Sequence, residues 1–187
     1  MKLLPVVKRA FLLLAALLCF FTSLVLIFNG GLPERASYSG VVTGADTFAP
    51  EIHALAPPFT ATNINGEIVD LLELRGSPVI INFWATWCGP CAAEMPELQA
   101  FYEARQQDGI RLLGVNLSEG SEQILPWVER YGLTFDLLLD PQGEIADLYR
   151  LRGQPSTYIV SPEGVITSVF YGPTTYSQLE LSLPPAA

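Results

Sequence analysis

Two cysteines near the middle of the chain, Cys88 and Cys91, have the residue type and the spacing for thiol chemistry. An uninterrupted apolar run at residues 79–84 precedes them, and helix-forming residues at 92–107 follow. This order predicts that the pair lies where a strand passes into a helix. The first helical turn presents unpaired N–H groups and the positive end of the peptide dipole, so we expect a thiolate at Cys88 to be stabilised there.

Cysteines with this spacing also occur in metal sites and in structural disulfides, so the pair alone does not decide its role. A structural zinc site needs four ligands, yet the other candidates are Cys19, within an apolar run, and His53, within a segment without periodicity. A disulfide between Cys88 and Cys91 would close a very short loop and would constrain the unfolded chain little. The strand-to-helix context therefore favours redox chemistry, with no metal and no cofactor beyond the disulfide itself.

The N-terminal segment has the pattern of a membrane anchor. Residues 10–28 are apolar apart from two hydroxyl residues, and a helix of this length spans roughly 28 Å, about the hydrocarbon thickness of a bilayer. Basic residues precede the run and are expected to keep residues 1–9 in the cytoplasm; they are Lys2, Lys8 and Arg9. A cleaved signal peptide is the alternative, but residues 29–33 contain no small-x-small cleavage site. We therefore expect an uncleaved, single-pass signal anchor.

Beyond residue 28 the chain divides into a linker and a domain. Residues 29–56 are rich in Gly, Ser, Ala, Thr and Pro without a sustained period, which predicts a flexible tether, whereas residues 57–187 predict one domain. The chain beyond residue 28 has seven Arg and nineteen acidic residues, a formal charge of 7 − 19 = −12. We expect this charge to repel nucleic acid and anionic lipid headgroups. The anchor places this domain on the extracytoplasmic face of the cell membrane.

The sequence of this domain predicts strands that alternate with helices. Asn65 and Gly66 are a strong hairpin signal between short strands at 59–63 and 67–70. Residues 79–84 are β-branched and aromatic without alternation, which suits a central strand covered on both faces. Further strands are predicted at 110–117, 135–139, 157–160 and 165–171, the last two as a hairpin at the sheet edge, and helices at 92–107, 122–131, 144–151 and 175–181.

Residues 82–91, Asn-Phe-Trp-Ala-Thr-Trp-Cys-Gly-Pro-Cys, with Glu94 and Pro96 after them, resemble the TlpA/ResA-like membrane-anchored thiol-disulfide oxidoreductases of the thioredoxin superfamily. A second part of the resemblance is Gly-Gln-Pro-Ser-Thr at 153–157, before another apolar strand. The resemblance implies an α/β, thioredoxin-like fold with a mixed central sheet and helices on both faces. It also implies an N-terminal β-hairpin and a central helix-strand insertion at about residues 118–140.

The same resemblance implies roles for individual residues. Cys88 corresponds to the attacking cysteine, Cys91 to the buried resolving cysteine, and Pro155 to a cis-proline that faces the disulfide. The backbone of Gln154 would then lie where an extended substrate peptide can pair beside Cys88. The other expected substrate contacts flank the first cysteine: Trp87, Gly89 and Pro90.

Glu94 distinguishes this sequence from plain thioredoxins. Those proteins have a buried Asp at the position that matches Asn82 here. Glu94 lies three residues after Cys91, about one helical turn, so it can be directed toward the cysteines. We hypothesise that Glu94 handles the proton of Cys91, with a pKa raised by burial. A solvated Glu in a first helical turn is the alternative.

The resemblance implies thiol-disulfide exchange with exported proteins. Common substrates in that group are apocytochrome c and copper-site proteins, which are reduced with electrons from a CcdA/DsbD-like membrane partner. A thiol peroxidase is a second possibility, although Ala85 stands where peroxiredoxins have Thr. A non-enzymatic copper-delivery module is a third, although no His follows His53. The motif itself does not give the direction of electron flow.

Overall fold

The structure is a computed structural model that describes residues 14–15, 17–22 and 47–183. The chain divides into two compact units, Met1–Thr43 and Gly44–Ala187. The described residues of the first unit are helical and fall within the predicted anchor at 10–28. The rest of that anchor, residues 1–9 and most of the predicted linker lie outside the described residues. No helix in the described part has the length and hydropathy of a membrane span.

The second unit is built on a five-stranded mixed sheet with strand order β5-β4-β3-β6-β7. Strands β3, β4 and β5 are parallel, whereas β6 runs antiparallel to β3 and to β7. The strands are β1 (Thr60–Thr62), β2 (Ile68–Asp70), β3 (Val79–Trp84), β4 (Arg111–Leu117), β5 (Asp136–Asp140), β6 (Ser156–Val160) and β7 (Ile166–Tyr171). The α-helices are α1 (Gly89–Arg105), α2 (Ser121–Tyr131), α3 (Glu144–Leu148) and α4 (Tyr176–Ser182), and 3-10 turns lie at Leu71–Leu74 and Gln106–Asp108.

Strand β3 is buried along its whole length because both of its faces are covered. One face, here called the cysteine face, carries Ile80, Asn82 and Trp84, and its core includes Cys91 and side chains of α1, α2 and α4. The other face, here called the aromatic face, packs against α3 and the β1–β2 hairpin. Residues of that second core are Phe59, Val69, Ile81, Phe83, Ile145, Tyr149 and Tyr158. The predicted mixed α/β, thioredoxin-like arrangement is therefore present in the described domain.

The predicted N-terminal hairpin is confirmed and owes its turn to one side chain. Asn63 Oδ1 accepts hydrogen bonds from the backbone N–H groups of Asn65 (2.9 Å) and Glu67 (3.0 Å). Gly66 has φ +83°, a conformation that costs a glycine little. Asn63 also forms an antiparallel bridge with Leu138 of β5, so the hairpin is joined to the central sheet.

The segment before residue 57 differs from the predicted flexible tether. Residues 47–56 fold against the β6–β7 hairpin, since Ile166 N–H donates to Ala54 O (2.9 Å) and Ala56 N–H donates to Gly164 O (2.9 Å). The compact unit therefore starts upstream of the predicted boundary at 57. His53 lies in this ordered stretch, and its N–H donates to Ile166 O (2.8 Å). The composition of residues 47–56 did not reveal that they are ordered, because their hydrogen-bond partners are more than a hundred residues away in the sequence.

The predicted insertion at about residues 118–140 contains α2 and β5. Strand β5 extends the sheet by pairing in parallel with β4, from Leu113 opposite Asp136 to Leu117 opposite Asp140. The predicted hairpin at the sheet edge is confirmed, because β6 pairs with β3 and β7 forms the edge. Helix boundaries differ from the prediction: α1 begins at Gly89 rather than at residue 92, and α3 ends at Leu148 rather than at residue 151.

Candidate functional site

The two predicted cysteines are joined by a disulfide at the junction of β3 and α1. Cys88 is the N-cap residue of α1, and its Sγ accepts a hydrogen bond from the backbone N–H of Cys91 at 3.2 Å. Cys88 is 5% exposed and Cys91 is completely buried. Because the Cys88 sulfur lies at the positive end of the helix, negative charge that develops on it is stabilised there. Attack from outside reaches Cys88 before Cys91.

The residues around Cys88 divide into exposed and buried ones. Trp87 is 64% exposed, and Gly89 and Pro90 are exposed as well, so all three are accessible to a partner. Trp84, by contrast, is fully buried and stacks on Trp127 with ring centroids 5.3 Å apart. Trp84 therefore belongs to the core, whereas the predicted substrate contact Trp87 lies on the surface.

The Gln154–Pro155 peptide bond is cis. Pro155 is buried just before β6, and its carbonyl accepts a hydrogen bond from Gly172 N–H at 2.9 Å. Ser156 pairs with Phe83 in the antiparallel β3–β6 ladder, which places Pro155 at the end of β3 from which the chain continues to Cys88. The structure thus brings the predicted cis-proline to the same end of the sheet as the disulfide, and Gln154 is half-buried beside it.

Glu94 lies on α1 and is 1% exposed, so the alternative of a solvated side chain is wrong. Its Oε1 accepts a hydrogen bond from Asn82 Nδ2 (2.9 Å) and its Oε2 accepts one from the backbone N–H of Thr174 (2.9 Å). Thr157 completes the cluster, because its Oγ1 accepts from Asn82 Nδ2 at 3.0 Å and lies 3.1 Å from Thr174 Oγ1. The carboxyl group is therefore fixed by β3, β6 and the loop before α4.

Burial raises the pKa of Glu94 to about 7. The hydrogen bonds from Thr174 and Asn82 oppose that shift but do not cancel it. Removing a carboxylate from water disfavours its charged form, and hydrogen bonds to that form only partly replace the lost hydration. A group with this pKa is present in both protonation states near neutral pH, one helical turn from Cys91. Asn82 Oδ1 is also buried and has no hydrogen-bond partner among the described residues.

A second carboxylate, which the sequence reasoning did not single out, holds the loop before Cys88. Glu119 Oε2 accepts hydrogen bonds from Thr86 N–H (2.8 Å) and Asn116 Nδ2 (2.9 Å), and its Oε1 accepts one from Thr86 Oγ1. Glu119 follows β4, the parallel neighbour of β3, so both loops leave the same edge of the sheet. Parallel strands place their following loops together, and that rule was the available signal. The preceding residue, Ser118, has φ +58°, which turns the chain toward Thr86.

No group of three or more His, Cys, Asp or Glu within the described ranges is arranged to hold a metal ion. The site instead contains one disulfide, one buried carboxyl group with a raised pKa and one cis-proline loop. Disulfide exchange needs an attacking sulfur, a resolving sulfur and a proton acceptor, and this set supplies each. Fold and site together define a thiol-disulfide oxidoreductase with a thioredoxin-like fold.

Comparisons with known proteins agree with that class. The AhpC/TSA family matches residues 52–169, which make up more than half of the chain. The chain therefore belongs to that family. A thiol-disulfide oxidoreductase ResA from Oceanobacillus iheyensis is 38% identical over 130 residues, which cover 67% of each chain. The protein is a thiol-disulfide oxidoreductase of the ResA/DsbE type.

Solved structures support the same assignment. StoA from Bacillus subtilis is 30% identical with a TM-score of 0.60, and the alignment covers 68% of this chain and 97% of StoA. A secreted disulfide oxidoreductase of Mycobacterium tuberculosis, homologous to DsbE of E. coli, is 31% identical with a TM-score of 0.58. That alignment covers 66% of this chain and 91% of the mycobacterial protein.

Proposed function

We propose that this protein is a membrane-tethered reductase of disulfides in exported proteins, with apocytochrome c among its substrates. The anchor at residues 10–28 would hold the domain on the extracytoplasmic face, with residues 1–9 in the cytoplasm. Electrons would come through the membrane from a CcdA/DsbD-like partner. The observations that support this proposal are the apolar N-terminal sequence, the ResA-type relatives and the buried Glu94 on the cysteine helix.

In the proposed reaction the reduced protein attacks with the Cys88 thiolate. The Cys88 sulfur forms a bond to one sulfur of a substrate disulfide, the substrate S–S bond breaks, and the departing thiolate takes up a proton. The Cys91 thiol then loses its proton, and its sulfur attacks Cys88 in the mixed disulfide. The second substrate sulfur leaves and is protonated. Two electrons have then moved from the cysteine pair to the substrate, and the Cys88–Cys91 disulfide has formed.

The single observation that carries the proposed mechanism is the buried Glu94, because Cys91 has no exposure to solvent through which to lose its proton. Glu94 follows Cys91 by one turn of α1 and has a pKa of about 7. Its carboxylate form accepts the Cys91 proton in the resolving step. In the reverse direction, when the donor reduces the disulfide, the same carboxyl group returns that proton. Glu94 is thus the proposed proton carrier of the resolving cysteine.

The direction of electron flow is tested by the reduction potential of the Cys88–Cys91 pair. The full-length protein is equilibrated in redox buffers of dithiothreitol or glutathione, and free thiols are labelled at each potential. A value near or below that of thioredoxin, about −270 mV, is expected for a reductase. A value near that of the oxidant DsbA, about −120 mV, would contradict the proposed direction.

The role of Glu94 is tested by the pH profile of Cys91 alkylation in a Cys88→Ser background, with the modified residue identified by mass spectrometry. Replacing Glu94 with Gln removes the proton acceptor, and we expect the profile of Cys91 to move. Glu97→Gln is the matched control, because Glu97 lies on the same helix but is exposed. The role of Glu94 is rejected if its variant and the Glu97 variant give the same profile as the unchanged background.

A further inference from the structure

A cleft of about 420 Å³ opens beside the cis-proline, lined by residues 152–156 together with Tyr171 and Gly172. Ser156 pairs with Phe83 on one side and with Tyr171 on the other. The cleft therefore lies at the end of the sheet where β3 leads to Cys88. The position follows from the strand register alone, because neighbouring strands lie only about 4.8 Å apart.

One arginine, Arg152, lines the cleft. Arg152 is exposed, and its guanidinium forms no hydrogen bond or ion pair with any residue of the stretch 47–183. Four other arginines of this stretch are engaged: Arg105 pairs with Asp108 and Glu180, Arg111 with Asp136, Arg150 with Glu51, and Arg130 lies over the Tyr131 ring. Acidic residues greatly outnumber arginines beyond residue 28, so an unpaired guanidinium at this place leaves a local positive charge for a ligand.

The walls of the cleft fit a segment of polypeptide. Tyr171 is 70% exposed and offers a ring on which a side chain can lie. The backbone N–H and C=O of Gln154 form no hydrogen bond with another residue of the described domain, so they are available to an extended chain. A strand advances about 3.3 Å per residue. Arg152 lies two residues before Gln154 and lines the same cleft. A peptide that pairs with Gln154 and presents its cysteine to Cys88 is therefore expected to bring a residue within about three positions of that cysteine to Arg152.

We propose that Arg152 selects substrate segments with a carboxylate side chain within three residues of the reactive cysteine. This inference rests on the proposed exchange with protein disulfides and names the substrate class of that site. A glutamate or aspartate in the cleft pairs with the guanidinium, whereas a lysine meets a like charge. The net negative charge of the domain acts over longer distances and on every residue of a partner, so only the placement of a carboxylate, at constant peptide charge, reports on Arg152.

The test uses three synthetic peptides with one intramolecular disulfide. Glu, Gln or Lys occupies the second position after the reactive cysteine, and a compensating residue at the far end keeps the net charge equal. Full-length protein is first reduced with dithiothreitol and freed of excess reductant. Its reaction with each peptide is quenched with acid, and the thiols formed are quantified by chromatography. We expect the second-order rate for the Glu peptide to exceed that for the Lys peptide by about two- to fivefold, as for a solvent-exposed ion pair.

Charge reversal at Arg152 supplies the decisive comparison. Arg152→Glu is expected to invert the order, so that the Lys peptide reacts faster. Arg150→Glu is the matched control, because Arg150 is exposed in the same loop but does not line the cleft. The control is expected to keep the wild-type order. At high salt the ratio of the Glu-peptide rate to the Lys-peptide rate is expected to approach one, since salt screens exposed charges.

Two results would overturn the specificity and leave the proposed function intact. In the first, all three peptides are reduced at equal rates by the wild-type protein and by Arg152→Glu. In the second, Arg150→Glu changes the order as much as Arg152→Glu, which would assign the effect to the overall field of the domain. Failure of every variant to reduce any peptide would instead overturn the proposed function, and the specificity with it.

Discussion

The two faces of strand β3 are both fully buried, yet they are built from different chemistry. The aromatic face joins Phe83 to Tyr149 and Tyr158, with ring centroids 5.0 to 5.8 Å apart. The tyrosine hydroxyls there donate to backbone carbonyls, that of Tyr149 to Pro57 O and that of Tyr158 to Tyr149 O. The cysteine face has Asn82 and Glu94 in the corresponding interior. One face is packed for stability, and the other holds a titratable group next to a disulfide.

This difference shows where the protein gives up stability for chemistry. Buried polar groups are costly unless they are hydrogen-bonded, and the two tyrosine hydroxyls of the aromatic face are neutral and hydrogen-bonded. On the cysteine face the Asn82 amide oxygen has no partner in the described domain, and burial raises the pKa of Glu94 to about 7. Such groups destabilise the fold near neutral pH and are kept where a proton must move. The contrast leads to three predictions, which begin with the aromatic face.

Truncation of the aromatic face should have the largest effect on stability and none on the cysteine chemistry. Phe83→Ala removes a fully buried ring that contacts two tyrosines, and we expect the free energy of unfolding to fall by about 3–5 kcal/mol. Chemical denaturation of the oxidised full-length protein measures the loss. The pH profile of Cys91 alkylation should keep its midpoint. A moved midpoint would show that the two faces are not independent.

Replacing Glu94 should change how stability depends on pH. The folded protein has a pKa of about 7 at Glu94 against about 4.5 for an unperturbed glutamate, so between these values the folded state binds more protons. The stability that Glu94 contributes is therefore present below pH 4.5 and is lost as the pH rises to 7. Relative to Glu94→Gln, the free energy of unfolding of the wild-type protein should fall by roughly 3 kcal/mol over this pH interval and change little at higher pH. This figure is the upper limit of the expected change.

Denaturation curves of the oxidised proteins at several pH values between 4.5 and 8 measure this difference. Glu97→Gln provides the baseline, because the exposed Glu97 sits on the same helix. Parallel pH dependences for the wild-type protein and Glu94→Gln would contradict the raised pKa and weaken the proposed proton transfer.

The smallest expected effect concerns the packing of the cysteine face around Trp84. A Cβ on Gly114 would lie 2.9 Å from Leu137 Cδ2 and from Phe135 Cε2, and 3.2 Å from Trp84 Nε1. We expect Gly114→Ala to lower the free energy of unfolding by about 1–3 kcal/mol because the side chains must move. Gly153→Ala is the control, since within the described residues its added Cβ has no heavy atom within 4 Å apart from those of its chain neighbours. Thermal unfolding of both variants tests this expectation, and an equal shift of the unfolding midpoint in the two variants would contradict the packing argument.

Much of the fold could be predicted because its signals are local. The unbroken apolar run of β3 was predicted with the bounds that the structure has, and Asn65 with Gly66 marked the first hairpin. The helix after the cysteines was placed three residues too late, because Cys88 serves as an N-cap and a helix end depends on cap geometry. The ordered segment at 47–56 was missed, since its strand partners lie at residues 164–166.

The site divides in the same way. Spacing and the strand-to-helix context marked Cys88 and Cys91 as a thiol pair, and spacing placed Glu94 one turn further along the helix, because these relations follow from residues close in sequence. The sequence did not reveal that Glu119 accepts hydrogen bonds from Thr86, or that Thr157 bonds both to Asn82 and to Thr174. Those contacts join residues that are 17 to 75 positions apart.

The sequence by itself determined the cysteine pair, its strand-to-helix junction and the acidic balance of the domain, since each is a property of residue types and short spacings. Only the tertiary structure decided that Glu94 is buried and that Arg152, near the cis-proline, forms no ion pair or hydrogen bond with the residues that the structure describes. Burial and charge pairing depend on which distant elements are brought together. The pKa of a carboxyl group and the freedom of a guanidinium are therefore set by the folded surroundings.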